Sequence, residues 1–256
     1  MSKRPVLIEK KGTIVFLILN RPKQSNLVDE ELAWAIKDSC RFINEDSSIR
    51  VMILTGTETC FSTGRQTFPD SMPPYPDDWI NKMQTAASIA KVNIPTIAAI
   101  NGDALDHGLE LALACDLRVA DWNARLGFRD LSRGLFPWDG GTQRLSRIVG
   151  RSTALDLLLT SRILTAKKAL AVGLINHVTR QGNALNYAVN LASSISELAP
   201  IAMRYTKEAI HRGLDMPLDQ GLKLEADLSF LLHGTTDRSE GIDSFLTKRD
   251  PYFLGQ

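Results

Sequence analysis

Short apolar runs alternate with longer amphipathic stretches through the first half of this chain. Residues 13–19, 51–55 and 94–100 are the clearest runs, and each is dominated by aliphatic side chains. Continuous apolar runs of this length, bounded by turn residues, are typical of buried strands. The stretches between them carry apolar residues at helical spacing. The alternation therefore predicts an α/β core.

The segments between these runs give further elements. Asp29 is suited to cap a helix that runs to about Ile43, because its side chain can accept a hydrogen bond from a backbone N–H in the first turn. We predict single helices over residues 77–92 and 108–115, and strands over 117–120 and 125–128.

Beyond Gly140 the pattern changes to a nearly continuous series of helices. We predict helices over residues 142–149, 152–160, 165–172, 184–198, 201–211, 218–232 and 239–246, with one strand at 174–178. Strands followed by a run of helices indicate an α/β core with a helical C-terminal appendage. The apolar side chains of 218–232 are too many for a solvated helix. They either enter a subunit interface or cover the core.

The composition is that of a globular protein without a strong charge bias. Apolar residues make up 44% and charged residues 23% of the 256, and the formal net charge is +1. This balance argues against a disordered chain and against a general nucleic-acid binder. No apolar stretch approaches the ~20 residues of a membrane span. The three widely spaced cysteines indicate reduced thiols. We therefore expect a cytoplasmic protein with no membrane or nucleic-acid partner.

One proline-rich segment, residues 69–79, is expected to form neither a helix nor a central strand. A loop of this length inside a compact domain is either a plain surface loop or a binding loop. We consider it a candidate wall of a pocket.

Carboxylates and free backbone N–H groups are the first candidates for chemistry. Residues 101–111 join an apolar run to an apolar helix through a turn with Gly102, and such a junction favours an anion or oxyanion. Glu110, in the first turn of that helix, is either a partner of the helix dipole or a catalytic group. Asp130 and Asp139 are isolated among apolar, Gly and Pro positions, although Asp139 alternatively belongs to a turn.

Several motifs, taken together, resemble those of the crotonase superfamily of enoyl-CoA hydratases and isomerases. They are Leu19-Asn20-Arg21-Pro22-Lys23 with Asn26, Phe61-Ser62-Thr63-Gly64-Arg65, the stretch 101–118, and Gly140-Gly141-Thr142-Gln143-Arg144-Leu145. The resemblance extends over essentially the whole chain. It implies an α/β, crotonase-like spiral of ββα units over residues 1–195. It also implies a helical region over 196–256 that completes the coenzyme A site and forms homotrimers or dimers of trimers.

The resemblance implies an acyl-CoA substrate, with coenzyme A as part of it and no further cofactor or metal. The backbone N–H groups of Arg65 and His107 would hold the thioester oxygen, where negative charge develops during the reaction. Glu110 and Asp130 would hold a water between them, and such acid–base work needs at least one pKa tuned by burial. Asp139 is an alternative third acid.

The same resemblance assigns residues to the two ends of the substrate. Coenzyme A would be bound by Lys23, Gln24, Ser25, Asn26, Phe61, Gly64 and Lys248, with Arg249 beside the last of these. Phe136 and Trp138 would form the acyl pocket. A solvated surface charge is the alternative for Lys23, Lys248 and Arg249.

Some positions depart from the family pattern. Asp130 is one methylene shorter than the glutamate of the hydratases, and Arg129 stands where proline is usual. A cation beside Asp130 is expected to lower its pKa. His107 stands in the run before the glutamate that is rich in glycine in the family, and Arg65 stands where alanine is common.

Three functions stay open on these residues. We expect an enoyl-CoA hydratase that uses Glu110 and Asp130. The second reading is an isomerase or hydrolase that uses Glu110 alone or with Asp139. The third is a non-catalytic acyl-CoA-binding scaffold, since a fold can keep its core and lose its chemistry. A metal hydrolase built on His107 and Glu110 is more remote, because no third ligand is evident.

Overall fold

The strands of the protein pair into two sheets, which a computed structural model describes for residues 4–66 and 75–256. The strands are β1 Val6–Lys11, β2 Ile14–Leu19, β3 Val51–Gly56, β4 Thr96–Ile100, β5 Ala104–Leu105, β6 Leu117–Asp121, β7 Arg125–Gly127, β8 Ile163–Thr165 and β9 His177–Thr179. The helices are α1 Glu30–Glu45, α2 Pro76–Met83, α3 Ala86–Ala90, α4 His107–Leu113, α5 Gly141–Val149, α6 Arg151–Leu159, α7 Ala166–Ala171, α8 Ala184–Ser196, α9 Pro200–Gly213, α10 Leu218–Leu232 and α11 Thr236–Thr247.

The larger sheet has six strands in the order β1-β2-β3-β4-β6-β9. Strands β1 and β2 pair antiparallel, and all the other neighbours pair parallel. The smaller sheet has the order β5-β7-β8, and β5 lies parallel to β7. Because β5 leads directly into α4, the small sheet fixes where α4 begins.

Helices cover both faces of the larger sheet, so every residue of β3 and β4 is buried. Met52 and Leu54 join the main core with side chains of α1 and α3. Val51 and Ile53 point to the opposite face, where the alanines of α8 pack against them. Alternate residues of a strand face opposite sides, which accounts for this division. The prediction of buried strands in an α/β core is confirmed.

Helix α1 begins where the sequence predicts it. The Asp29 side chain accepts a hydrogen bond from the Leu32 N–H at 2.9 Å, which caps the helix. Leu32, Ile36 and Ile43 are buried on one face, as their spacing requires.

Two predicted elements are wrong in their bounds. The single helix over 77–92 is divided into α2 and α3, because Gln84 leaves the helical conformation with a ψ of 82°. The strand predicted at 174–178 is β9, which begins only at His177. Strands β1, β5 and β8 were not predicted. In β1 five of the six residues are not fully buried, and β5 and β8 have only two and three residues.

The proline-rich segment is described only in part. Residues 69–74 lie outside the described residues. The prediction that this segment forms no helix is wrong at its end, because α2 begins at Pro76 and proline is tolerated in the first turn of a helix. Trp79 of α2 is buried against the core. The pocket-wall prediction can therefore be followed only at the helical end of the segment.

The C-terminal helices carry many exposed apolar side chains. Helices α9 and α10 pack against each other, and the exposed apolar side chains of this region include Ile210, Leu214, Leu222, Phe230, Leu231, Phe245 and Leu246. A cavity of about 800 Å³ between α9 and the core is lined mainly by apolar groups. Among the described residues, the helices are all too short or too polar to cross a membrane.

Candidate active site

The candidate oxyanion donors are the backbone N–H groups of Arg65, in an isolated bridge with Val28, and of His107, the first residue of α4. The Val28 N–H donates to Gly64 O, and the Gln66 N–H donates to Val28 O, so the N–H of Arg65 between them points to the other side. The N–H of His107 opens α4 directly after β5. Within residues 4–66 and 75–256, neither of these two N–H groups has a hydrogen-bond acceptor.

Close backbone contact brings the two segments together. Ser62 bridges to Ala104, and the Leu105 N–H donates to Ser62 O at 3.0 Å. A Cβ added at Gly108 would lie 2.0 Å from Ser62 O, so only glycine fits there. Gly64 has a φ of +137°, which a side chain would disfavour. The glycines of both predicted motifs thus have a steric cause.

The carboxylate of Glu110 is fully buried and has four hydrogen-bond donors. Its Oε1 accepts the N–H groups of Asp139 at 2.8 Å and Gly141 at 2.9 Å. Its Oε2 accepts His107 Nδ1 at 2.8 Å and forms an ion pair with Arg65. Burial alone would raise the pKa of Glu110, but the His107 hydrogen bond and the Arg65 charge hold it below its ordinary value. Glu110 is therefore an ionised carboxylate whose lone pairs are all occupied.

His107 is a neutral imidazole in this arrangement. Burial lowers its pKa, and the neighbouring Arg65 cation lowers it further. Because the Glu110 carboxylate only accepts, Nδ1 must carry the proton, and the Thr85 hydroxyl then donates to Nε2 at 2.6 Å. Thr85 lies in the break between α2 and α3, which the sequence analysis placed inside a helix. No sequence signal marked it.

The Arg65 side chain lies between Glu110 and the cavity. Its guanidinium carbon is 3.8 Å from the centroid of the Trp138 ring, a cation–π contact. Trp138 in turn packs on Trp79, with ring centroids 5.6 Å apart. Of the buried side-chain atoms in the described ranges, only Arg65 Nη1 has no hydrogen-bond partner. The Arg65 guanidinium is therefore fixed by its ion pair with Glu110 and its contact with Trp138, while one of its N–H groups lacks an acceptor.

The backbone and the side chain of Asp139 form hydrogen bonds with different neighbours. Its carboxylate accepts the N–H groups of Ala86 at 2.7 Å and Ala87 at 3.1 Å, which fixes the start of α3. Burial raises its pKa. Its own N–H binds Glu110, as described above. Asp139 thus lies at the site, and both of its carboxylate oxygens have donors from α3.

Asp130 titrates differently from Glu110. Burial and the nearby Asp106 charge raise the pKa of Asp130 to about 6. The predicted lowering by Arg129 is wrong, because the Arg129 side chain turns to Asp106, with contacts of 2.8 and 3.0 Å. The cation that reaches Asp130 is Arg133, at 3.0 Å. The pKa of Asp130 thus lies well above that of an ordinary aspartate, which allows this carboxyl group to hold a proton in mildly acidic solution.

A cavity of about 280 Å³ connects these groups. Its lining includes Arg65, His107, Trp79, Asp130, Phe136 and Trp138. Glu110 lies behind Arg65 and His107, both of which contact it. The structure thus brings the predicted catalytic, oxyanion and acyl-pocket residues to one place, and it adds Asp106 and Arg133, which the sequence analysis did not single out.

The residues predicted to bind coenzyme A differ in exposure. Lys23 and Gln24 are exposed in the turn after β2, where Ser25 has a left-handed backbone conformation. Asn26 and Phe61 are fully buried as whole residues, so in this structure both lie beneath the surface that a ligand would contact. Asn26 instead binds Phe61 O at 2.9 Å and joins the two motifs.

The remaining predicted positions for coenzyme A are split between the cavity and the C-terminal end. Gly64 lines the cavity. Lys248 is exposed at the end of α11 and does not line this cavity in the described part of the chain. The neighbouring Arg249 pairs with Glu240 at 2.5 and 2.7 Å.

Comparison with known proteins identifies the family of this chain. The enoyl-CoA hydratase/isomerase family model matches residues 9–256. The 2,3-dehydroadipyl-CoA hydratase of Escherichia coli (strain K12) is 35% identical, over 98% of this chain and 99% of its own. The crotonyl-CoA hydratase of Syntrophomonas wolfei is 32% identical over 100% of both chains. The crystal structure of enoyl-CoA hydratase from Bacillus anthracis superposes with a TM-score of 0.92 at 32% identity, over 98% of this chain and 100% of the other.

This chain belongs to the enoyl-CoA hydratase/isomerase family. The crotonase-like fold and the family membership predicted from the sequence motifs are both confirmed.

Proposed function

We propose that the protein adds water across the double bond of a 2-enoyl-CoA thioester. The observation that carries the proposal is the pairing of two carboxyl groups with opposite pKa shifts. The pKa of Glu110 is held low and that of Asp130 is raised to about 6, around one cavity with two unpaired backbone N–H groups. One group can accept a proton and the other can give one.

The first step is polarisation of the thioester. The N–H groups of Arg65 and His107 bind the carbonyl oxygen, which gains negative charge as the enolate forms. Donors preorganised in this way each contribute roughly 10²–10³ in rate. The neutral state of His107 fits this role, since a second cation beside Arg65 would be costly.

Water then adds to the polarised alkene. The water oxygen forms a bond to Cβ, and one water proton passes to the Glu110 carboxylate. The carbon–carbon π electrons move to the thioester oxygen. When the enolate collapses, Cα takes the proton of Asp130. A proton returned from Glu110 to Asp130 through solvent restores the starting state, so one water is consumed for each 3-hydroxyacyl-CoA formed.

Arg65 must release Glu110 before that carboxylate can accept a proton, because all its lone pairs are occupied. The unpaired Nη1 of Arg65 lowers the cost of release. We propose that the acyl group causes this release when it enters between Trp138 and Glu110.

We place the acyl end and the coenzyme A end of the substrate at the same cavity. We place the acyl chain against Phe136 and Trp138, both of which line it. We place coenzyme A along Gly64, Ser25 and the exposed Lys23 and Gln24, with the buried Asn26 and Phe61 supporting this segment from below. Lys248 would reach it from a neighbouring subunit, and apart from coenzyme A no cofactor is proposed.

One observation favours a second candidate, isomerisation of the double bond. If Arg65 stays on Glu110, Asp130 alone is left to move a proton between carbons. Asp139 is less suited to the task because both of its oxygens have donors from α3. An isomerase would need no water at Cβ.

We also propose a homotrimer, or a dimer of trimers, in the cytoplasm. The exposed apolar side chains of α9–α11 and the large apolar cavity beside α9 support an assembly surface. The free cysteines at 40, 60 and 115 support a reducing compartment.

The function is tested with the purified protein and a short 2-enoyl-CoA. We expect the absorbance of the conjugated thioester to fall as water adds, and this loss to be abolished in Asp130→Asn. Binding of the ester without any conversion would overturn the proposal in favour of a scaffold. Loss of absorbance that Asp130→Asn leaves unchanged would overturn the role of Asp130.

A further inference from the structure

Asp106 is a buried carboxylate that the proposed chemistry does not use. Its side chain is 3% exposed, and its backbone has a φ of 53° and a ψ of −123°. Residues with a Cβ rarely adopt a positive φ. The residue that follows is His107, whose N–H is one of the two proposed oxyanion donors. Something must hold this unfavourable turn in place.

Two arginines hold the Asp106 side chain. Its Oδ1 accepts the Arg129 N–H at 2.5 Å. Its Oδ2 accepts Arg129 Nε at 3.0 Å, Arg129 Nη2 at 2.8 Å and Arg133 Nη2 at 2.8 Å. The carboxylate is thus fixed by four charged or backbone contacts, all from the segment that carries Asp130.

Each arginine also contacts a second part of the site. Arg129 Nη2 donates to Thr63 O at 3.0 Å, in the segment that leads to the Arg65 N–H. Arg133 Nη2 donates to Asp130 Oδ1 at 3.0 Å. One buried carboxylate is therefore linked to the two oxyanion segments and to the proposed proton donor.

We propose that Asp106 is a positioning residue that fixes both oxyanion segments and Asp130 in one geometry. The inference deepens the proposed hydratase function and rests on it. Asp106 touches no reacting atom; it acts through its own backbone, through Arg129 and through Arg133.

Charge is the second part of this role. After burial, Asp106 is the main cause of the raised pKa of Asp130, and Glu110 adds to the same effect. Arg133 and Arg65 act in the opposite direction. Arg133 pairs with both Asp106 and Asp130, so removing the charge of Asp106 leaves Asp130 as the carboxylate partner of Arg133. The pKa of Asp130 should then fall, whereas removing Arg133 should raise it.

The test compares three substitutions that are expected to lower the pKa of Asp130, to raise it, or to leave it unchanged. In Asp106→Asn the alkaline limb of the hydration rate should move to lower pH by about one unit, since a like charge is lost. In Arg133→Gln the limb should move to higher pH. Asp103→Asn is the matched control, because Asp103 pairs with the exposed Arg125 and does not affect Asp130. It should leave the profile unchanged.

Asp106→Gly separates backbone from side chain. Glycine relieves the positive φ but removes every contact to the arginines. We expect at least about tenfold loss in kcat with KM for the ester changed much less, because misplacement of catalytic groups affects the chemical step. Full activity in Asp106→Gly, or unchanged pH limbs in both Asp106→Asn and Arg133→Gln, would overturn the proposal.

A titration of the Asp130 carboxyl by ¹³C NMR makes the test independent of turnover. The signal is assigned by its absence in Asp130→Asn, and circular dichroism checks that each variant is folded. A lower Asp130 pKa in Asp106→Asn supports the positioning role, and an unchanged pKa overturns it. Wild-type protein that converts no 2-enoyl-CoA would instead overturn the proposed function, while this titration still decides on Asp106.

Discussion

Replacing Glu110 by Gln should unfold this protein more readily as well as inactivate it. The amide oxygen can still accept the N–H groups of Asp139 and Gly141. The amide nitrogen then faces His107 Nδ1 and the Arg65 guanidinium, the two donors that bind Oε2 in the wild type. His107 can adapt, because the other tautomer accepts at Nδ1 and donates from Nε2 to Thr85. Arg65 keeps its charge in every state, so without substrate this cation, whose side chain is only 11% exposed, is left without its carboxylate partner.

The magnitude follows from that stranded cation. Removing one partner of a buried ion pair costs about 3–5 kcal/mol. For a chain of this size each kcal/mol lowers Tm by about 2–4 °C, so Glu110→Gln should lose roughly 10 °C. In contrast, Glu110→Gln combined with Arg65→Met removes both charges. Met keeps a long apolar side chain against Trp138, and apolar replacement of a buried pair is often neutral in stability.

Urea unfolding of the wild type, both single variants and the double variant gives the coupling free energy. We expect a coupling of at least about 2 kcal/mol, with the double variant close to wild-type stability. Hydration of a 2-enoyl-CoA, measured in the same four proteins, should stay absent in both variants that lack Glu110. A Glu110→Gln variant within about 1 kcal/mol of the wild type, or one that Arg65→Met fails to rescue, would refute this account of the pair.

Three further predictions concern titration, packing and assembly. Since the pKa of Asp130 is raised to about 6, hydration should decline above that pH as the proton donor is lost. Ionisation of Asp130 also opposes folding, with no penalty below its unfolded pKa of about 4 and the full penalty above about 6. Asp130→Asn should therefore raise Tm at pH 8 and not at pH 3, and equal effects at both pH values would contradict the shift. Gly108→Ala places a Cβ 2.0 Å from Ser62 O and should lower both Tm and hydration, whereas Gly213→Ala, with open space around it, should not. Leu214→Asp on the exposed apolar surface of α9–α11 should reduce the mass seen by light scattering to that of one chain, and an unchanged mass would place the interface elsewhere.

Most of the fold could be predicted from local patterns. The runs at β2, β3 and β4 are apolar on both faces, so their burial between helices follows from the side chains alone. The break between α2 and α3 could not be predicted in this way. It is fixed by Asp139, which is more than fifty residues away and binds the N–H groups of Ala86 and Ala87.

The site was predicted by motif rather than by physical pattern. The motifs placed Glu110, Asp130, Arg65 and His107 together, and the structure brings them to one cavity or directly behind it. The pKa values of Glu110 and Asp130 depend on contacts between residues that are distant in the sequence. Arg129 follows Phe128 directly and precedes Asp130, yet its side chain turns to Asp106, so proximity along the chain gave the wrong direction for the Asp130 pKa.

The most direct measurement follows the atoms of water into the product. The protein is given a short 2-enoyl-CoA in H₂¹⁸O, and in a parallel reaction in D₂O, and the early product is analysed by mass spectrometry and NMR. The account predicts one ¹⁸O at Cβ and one deuterium at Cα of a 3-hydroxyacyl-CoA. A product with a moved double bond and no ¹⁸O would contradict hydration and identify the protein as an isomerase.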